Sequence, residues 1–418
     1  MLLSIKKFFR SLGAEIIVQA PSRINLINPL DAVEGDFWMP SVAITGVKNP
    51  LSVFLYIKKS DKHNKIKFYE IDESLTIKLK SEDFLSKDIN VIKSKFNGEF
   101  KLIYASIYRF KITNSYFWEN YLNSNLEIGF VSTIPLKSGL GGSSSIIIAF
   151  LYGMAKYFNL INNFDCLEEG DIPINRDIIA EMATKVEDKD LNITAGYADR
   201  YLISRGGLSF CSYYGKLFHK ELSKEPLAVY DRIDELYNIE NIPIILCYSG
   251  VLHESGGIHY KLRELYLNNN SFIIESYQKL ADLSWKSRFA LMSHNWKLLG
   301  EYFKENTTIM NAVMEYAGFK YGIGLANNIL IKLIEGHPDV YASKLTGAGG
   351  GGSVFALVNP RKIDYILLEW KENLNHLIND ENLFYRIFPN YPIEITSELK
   401  NAKFYRIRIN HNGVSVIE

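Results

Sequence analysis

The chain has 418 residues, more than a single hydrophobic core usually organises, so two to three domains are expected. Lys plus Arg and Asp plus Glu both number 47, which excludes a global field that would draw the protein to nucleic acid or to an anionic membrane. Cys166, Cys211 and Cys247 are isolated and lack the spacing of a zinc site, so the reading is a reducing, cytoplasmic setting without structural zinc.

Taken in chain order, residues 1–16 are basic and amphipathic but too short and interrupted to span a membrane, and read as a docked helix or a first strand. "AEIIVQ" (14–19) reads as a strand that enters a loop dense in Pro, Asn, Asp and Gly, followed by a further apolar strand. Residues 51–57 and 65–79 alternate as exposed antiparallel strands do, 101–122 reads as a helix and 126–133 as a strand. Residues 176–188 have helical spacing, and strand character returns after 206. A second core begins with the β-branched run at 241–250, followed by helices near 258–268, 272–303, 307–318 and 324–335. After a second glycine-rich turn at 344–358 come a helix at 361–378 and a tail that alternates like an edge hairpin. The expected class is α+β in two domains, 1–240 and 241–418, with a cleft between them.

The stretch "PLKSGLGGSSSIIIAF" (135–150) places its smallest residues before its most apolar segment. Gly139, Gly141 and Gly142 permit backbone angles closed to other residues and let a ligand approach consecutive N–H groups at the positive end of a buried helix. Phosphate binding is one reading; an ordinary strand-to-helix turn with a serine cap is the other.

Three segments occur in order: "APSRINLINPLD", "PLKSGLGGSSS" and "KLTGAGGGGS". Together they resemble the three signature motifs of the GHMP kinases, the superfamily of galactokinase, homoserine kinase, mevalonate kinase and phosphomevalonate kinase. The resemblance implies a ribosomal-protein-like first domain, a ferredoxin-like second domain, and ATP bound between them in the syn conformation. It implies Mg²⁺ as well. In "VEDKDLNITAGYADRY", Glu187 precedes Asp199 by twelve residues, the family separation of a metal-binding Glu and a catalytic Asp. Taken alone, Glu187 could be a helix-end acid paired with Lys185 or Lys189, and Asp199 an ion pair with Arg200.

By the same resemblance Arg23 stands beside the catalytic Asp199, and Ser143 reaches the metal, with Ser144 as its substitute if the extra serine shifts the frame. Lys137, Gly139, Leu140, Gly141, Gly142 and Ser143 to Ser145 form the nucleotide-binding turn, while Gly347, Ala348, Gly349 and Gly350 approach substrate and phosphates. "NPLD" (28–31), "ITAGYADRY" (193–201) and "SGGIHYKLRELYL" (255–267) are most similar to glucuronokinase-type sugar 1-kinases. The departures are Ile27 in place of a usual glycine and Leu30 in place of a serine. The implied activity is phosphorylation of the anomeric hydroxyl of a hexuronic acid or related sugar, the partner being that small molecule alone. A mevalonate-type or cyclitol kinase, or an inactive nucleotide-binding regulator, is the alternative.

Asn28 and Asp31 are the expected acceptor-binding residues of the first motif, Asp31 either receiving sugar hydroxyls or closing an Asx-turn. Arg263 is a candidate for an acceptor carboxylate or a surface residue, and Tyr197, Tyr201 and Tyr248 either line the sugar site or pack. His253 and His259 lack a third ligand for a metal and read as surface or supporting residues. A monomer or homodimer is expected.

Overall fold

The computed structural model describes residues 1–27, 31–33, 39–71, 77–82, 85–213, 221–224, 228–252 and 255–417. Among them the first half contributes β1 (Ile16–Asn25), β2 (Met39–Gly46), β3 (Ser52–Lys59), β4 (Lys65–Ile71), β5 (Ile77–Glu82), β6 (Leu126–Ser132), β7 (Leu208–Tyr213) and β8 (Ala228–Arg232). The second half contributes β9 (Ile244–Tyr248), β10 (Val340–Thr346), β11 (Ser353–Val358), β12 (Lys403–Ile409) and β13 (Ser415–Val416). All belong to one sheet with the main order β10-β11-β9-β12-β2-β1-β3-β6-β4-β5. Pairing is antiparallel except between β4 and β6. Among the described residues no helix is long and apolar enough to cross a membrane.

β1 organises the first half because its two ends pair differently. Ile16 to Pro21 face β3, whereas Ser22 to Asn25 face β2, which turns the end of the strand toward the second half. β3 is not the exposed strand its alternation suggests: Ser52 to Ile57 are all buried. Val53, Leu55 and Ile57 pack toward the helix Gly142–Tyr157, while Phe54 and Tyr56 are covered by Ile5 and Phe9 of the helix Leu2–Ser11. Gly153 brings the helix Gly142–Tyr157 close to β3, since a Cβ there would lie 2.8 Å from Leu55 Cδ2. The N-terminal segment is therefore a docked helix.

Two helices break where an apolar period conceals an asparagine cap. Residues 101–122 divide into Lys101–Lys111 and Ser115–Asn123, with Asn114 Oδ1 accepting from Phe117 N at 2.8 Å. In the second half the helices are Ser271–Met292 and Trp296–Tyr316, separated by His294 at φ 52° and capped by Asn295. The tail is not an edge hairpin. β12 is inserted between β9 and β2, and β13 pairs instead with β1. Its alternation arises because Ile407 and Ile409 enter the core while Arg406 and Arg408 face solvent. One core cluster runs from β1, β3 and β6 to Leu299, Phe303 and Phe355, and a second fills the far face of the C-terminal strands.

Candidate active site

β6 leads into a turn with Lys137 at φ 49°, Gly139 at 70° and Gly141 at 81°. Gly141 occupies the N-cap position of the helix Gly142–Tyr157, and no side chain caps it. The helix start thus presents its amides and positive dipole end to whatever the turn encloses. Successive helical residues diverge by about 100°, which separates the three serines. Ser143 Oγ donates to Glu187 Oε1 at 2.8 Å, Ser144 Oγ lies 3.5 Å from Glu187 Oε2, and Ser145 Oγ turns away to the carbonyls of Pro21 and Gly141. Leu140 contributes backbone only: its side chain is buried in the core and its carbonyl accepts from Arg23 N. Ser138, which the sequence reading passed over, lies against the same turn with its hydroxyl buried and no hydrogen-bond partner among the described residues.

Glu187 sits in a π-helical turn, Val186–Asp190, at the end of the helix Arg176–Lys185. The widened turn sends its three outward acids to three arginines on other elements. Glu187 pairs with Arg200, Asp188 with Arg263 at 2.9 Å, and Asp190 with Arg109 in a two-pronged contact at 2.9 and 2.5 Å. Neither Lys185 nor Lys189 pairs with Glu187: Lys185 lies by the Tyr197 ring, and Lys189 bonds Glu221.

Arg23, projecting from β1, pairs with Asp199 Oδ2 and donates to the Gly139 carbonyl at 2.5 Å. It joins the glycine-rich turn to Asp199. Arg200 bonds Glu187 and the Gly196 carbonyl and lies 3.8 Å from Asp199. Burial alone would raise the Asp199 carboxyl, but Arg23 and Arg200 hold it below the usual carboxylate range. Its Oδ1 is buried without a partner among the described residues.

The helix Ala198–Arg205 that carries Asp199 begins at Tyr197, whose own side chain gives no cap. Asp31 supplies one: its Oδ2 accepts from Ala198 N at 2.7 Å. The carboxylate packs so closely on Gly196 that a Cβ there would overlap it. Burial, and then the Asp199 charge, raise the Asp31 carboxyl. Asn28 and His253 lie outside the described residues.

The second glycine-rich turn meets the first. Ser353 Oγ donates to the Ser138 carbonyl at 2.8 Å, and a Cβ on Gly347 would stand 3.3 Å from the Gly139 carbonyl oxygen. Gly347 and Ala348 border the cleft, whereas Gly349 and Gly350 back onto Ile323 and Gly324. Between the turns is a cavity of about 490 Å³. Phe68, Leu102, Ile134, Leu136 and Ile146 form an apolar wall, while Ser143, Glu187, Asp199, Arg200 and His259 form a polar one. Tyr197 and Tyr201 pack in a small core, and Tyr248 borders a neighbouring cavity. Arg263 is engaged by Asp188 and by the carbonyls of Ala32 and Ala195.

A Mg²⁺ ion favours hard oxygen donors and usually takes only one or two protein carboxylates, completing its shell with phosphate and water. Among the described residues no group of three or more His, Cys, Asp or Glu side chains is placed to hold a metal alone. The adjacent Ser143 hydroxyl and Glu187 carboxylate fit a metal shared with a nucleotide.

Comparison with known proteins agrees with this geometry. Residues 102–207 match the sequence model of the GHMP kinases N terminal domain, and residues 287–376 that of the GHMP kinases C terminal domain. Glucuronokinase 1 of Arabidopsis thaliana is 25% identical over 352 residues, covering 82% of this chain and 83% of that protein. The D-glycero-alpha-D-manno-heptose 7-phosphate kinase of Campylobacter jejuni is 24% identical over 315 residues, covering 73% and 78% respectively. The crystal structure of Lactococcus lactis galactokinase complexed with galactose superposes with a TM-score of 0.63 at 17% identity, over 99% of this chain and all of that one. A glycine-rich turn at a helix start, a buried Arg-held carboxylate and matches to both GHMP kinase domains in order lead to one assignment: the chain is an ATP-dependent kinase carrying GHMP kinase N- and C-terminal domains.

Proposed function

We propose that the chain transfers the γ-phosphoryl group of ATP to the anomeric hydroxyl of a hexuronic acid such as glucuronate, yielding a sugar 1-phosphate. The observation that carries the reading is Asp199, held ionised by Arg23 with one carboxylate oxygen left to receive a hydroxyl. The similarity to Glucuronokinase 1 across 82% of the chain supports the choice of acceptor. Residues 1–240 supply the nucleotide cradle, Asp199 and most of the cavity lining, and residues 241–418 add His259, Gly347 and Ala348. The apolar side of the cavity suits a purine, and the turn amides with the helix dipole suit its phosphates.

In the reaction the anomeric oxygen forms a bond to the γ-phosphorus as the bond to the β,γ-bridging oxygen breaks, and ADP leaves. Phosphoryl transfer is largely a matter of positioning and charge, so a strong base is not required. Asp199 accepts the hydrogen bond of the attacking hydroxyl, aims it, and takes the proton once the oxygen has become acidic through bonding to phosphorus. Arg23 bridges that carboxylate and the phosphate turn, so a fixed positive charge lies where negative charge is redistributed. Ser143 and Glu187 would hold Mg²⁺, which neutralises phosphate charge when bound. Glu187→Gln is expected to raise the Mg²⁺ concentration needed for half-maximal rate about tenfold; an unchanged requirement would leave Glu187 as the anchor of Arg200 only.

The test is ADP release across hexuronic acids, neutral hexoses, pentoses, inositols and mevalonate, with NMR of the product. Coupling of phosphorus to the anomeric proton is the expected result. Coupling to a ring or terminal CH₂ proton, or turnover of mevalonate alone, would overturn the sugar 1-kinase reading.

A further inference from the structure

Arg200 lies between the two carboxylates on which the proposed chemistry depends. It follows Asp199 on the helix Ala198–Arg205, and its guanidinium reaches back toward the residues before that helix. Nη2 pairs with Glu187 Oε2, while Nη1 donates to the Gly196 carbonyl at 2.9 Å and stands 3.8 Å from Asp199 Oδ2. Both oxygens of Glu187 are thereby occupied, because Oε1 accepts from Ser143 at 2.8 Å. Arg200 is 7% exposed and Glu187 3%, so water screens the pair poorly and removal of either charge strands the other.

This is the carboxylate that a shared Mg²⁺ would need. Metal coordination takes a carboxylate oxygen directly, and Ser143 already approaches Glu187 from the side of the glycine-rich turn. A guanidinium stands where the second oxygen must serve, and two cations on one buried carboxylate repel each other. Arg200 has a second acceptor within reach. Closing the 3.8 Å between Nη1 and Asp199 Oδ2 to hydrogen-bond distance takes a movement of about an ångström, and Arg200 Nε, buried with no hydrogen-bond partner among the described residues, does not oppose it.

We propose that Arg200 is a stand-in cation. It holds Glu187 charged and aimed in the metal-free enzyme, gives Glu187 up when metal and nucleotide enter together, and passes to Asp199. Glu187 is thus never an unpaired buried anion, and loading of the site adds positive charge beside the carboxylate that receives the acceptor hydroxyl. The proposal rests on the reading of Ser143 and Glu187 as metal ligands given above. Arg200 is a positioning residue for both carboxylates.

The experiment uses the full chain and reads stability and metal binding rather than turnover. Wild type, Arg200→Met, Arg200→Lys and Glu187→Gln are melted in EDTA and again with ADP and Mg²⁺, and Mn²⁺ is titrated at saturating ADP by proton relaxation enhancement. Arg200→Met should lower the melting temperature by several degrees in EDTA, where it strands Glu187, and the deficit should shrink by about half or more with ADP and Mg²⁺. The Kd for Mn²⁺ should fall about tenfold in Arg200→Met, since no cation has to leave, and about threefold in Arg200→Lys, which holds the carboxylate by one point charge. An equal melting deficit in both conditions would make Arg200 an ordinary structural partner, and unchanged or weaker Mn²⁺ binding would show that it does not compete with the metal; either result overturns the proposal and leaves the proposed function standing. If Arg200→Met does not fold in either condition, the Mn²⁺ affinity of Arg200→Lys decides: tighter binding supports the stand-in role and unchanged binding overturns it. Unchanged Mn²⁺ affinity in Glu187→Gln would overturn the metal role of Glu187 and the proposal with it.

Discussion

Asp199 is the residue whose setting most constrains the chemistry. Held between Arg23 and Arg200 below the usual carboxylate range, it is ionised at neutral pH, so its protonation does not set an acid limb near neutrality. Asp199→Asn keeps the shape and loses the charge. Turnover should fall at least about 100-fold with ATP affinity nearly unchanged, because the lost interaction belongs chiefly to the transition state; steady-state kinetics with nucleotide titration checks this, and near-normal turnover would remove Asp199 from the reaction. Asp31 has the opposite bias. Its carboxyl is raised by burial and by Asp199, so the folded state takes up its proton more readily than the unfolded chain. Its contribution to stability therefore improves as pH falls through the raised value toward that of the unfolded chain. Asp31→Asn retains an oxygen for Ala198 N and should match or exceed the wild-type melting temperature at neutral pH, whereas Asp31→Ala should lose about 1 kcal/mol, the usual worth of a cap. A raised acceptor KM with unchanged melting in Asp31→Ala would instead assign Asp31 to sugar binding.

At the scale of elements, β10 carries Lys344, which is almost wholly buried. Its ammonium donates to the Leu345 carbonyl at 2.8 Å and lies over the rings of Phe355 and Phe303 at 5.1 and 6.0 Å. Burial lowers its pKa to about 7 despite those contacts. Between that value and the ordinary lysine range the unfolded chain binds the proton and the folded chain does not, so stability rises with pH across this window. Lys344→Met should flatten the rise and stabilise most at and below neutrality, as melting curves from pH 6 to 10 would show; a parallel rise in both proteins would place the pH dependence elsewhere. What could be read from sequence at this scale followed locality. The glycine turns, the spacing of Glu187 and Asp199 and most strands carry their own signals. The breaks at Asn114 and Asn295 were hidden because apolar spacing runs through them, while the caps depend on a single side-chain oxygen. The π-helical turn was equally hidden, since its three arginines come from positions 109, 200 and 263 and only folding brings them to adjacent acids. Ser145 and Leu140 illustrate the converse: their place in a motif implied contact with nucleotide, but helical direction turns the Ser145 hydroxyl to the Pro21 and Gly141 carbonyls, and the turn before the helix buries the Leu140 side chain in the core.

Over the whole molecule, β12 splices the strands of the second half to β2, and the two glycine turns touch directly at the cavity. The first glycine-rich turn is thus shaped by residues more than two hundred positions away. Gly352 is the tightest part of that contact outside the cavity lining. It has φ 78°, and a Cβ there would lie 2.8 Å from the Ser138 carbonyl oxygen, which also accepts the Ser353 hydroxyl. Gly352→Ala must therefore push the second turn away from the first or displace Ser138 and with it the amides of the first turn. The backbone strain of an alanine at positive φ, about 1–2 kcal/mol, would accompany the substitution at any such site and must be separated from the contact. Gly318 provides that control: it has φ 93° with nothing within 4 Å of an added Cβ. Gly318→Ala should lower the melting temperature by the strain alone and leave the KM for ATP within about twofold. Gly352→Ala should lower it by at least as much and, if the first turn holds the phosphates as proposed, raise the KM for ATP about tenfold or more, since sub-ångström misplacement of such amides weakens every contact at once. Equal ATP affinity in the two variants would mean that the first turn keeps its shape without support from the second half.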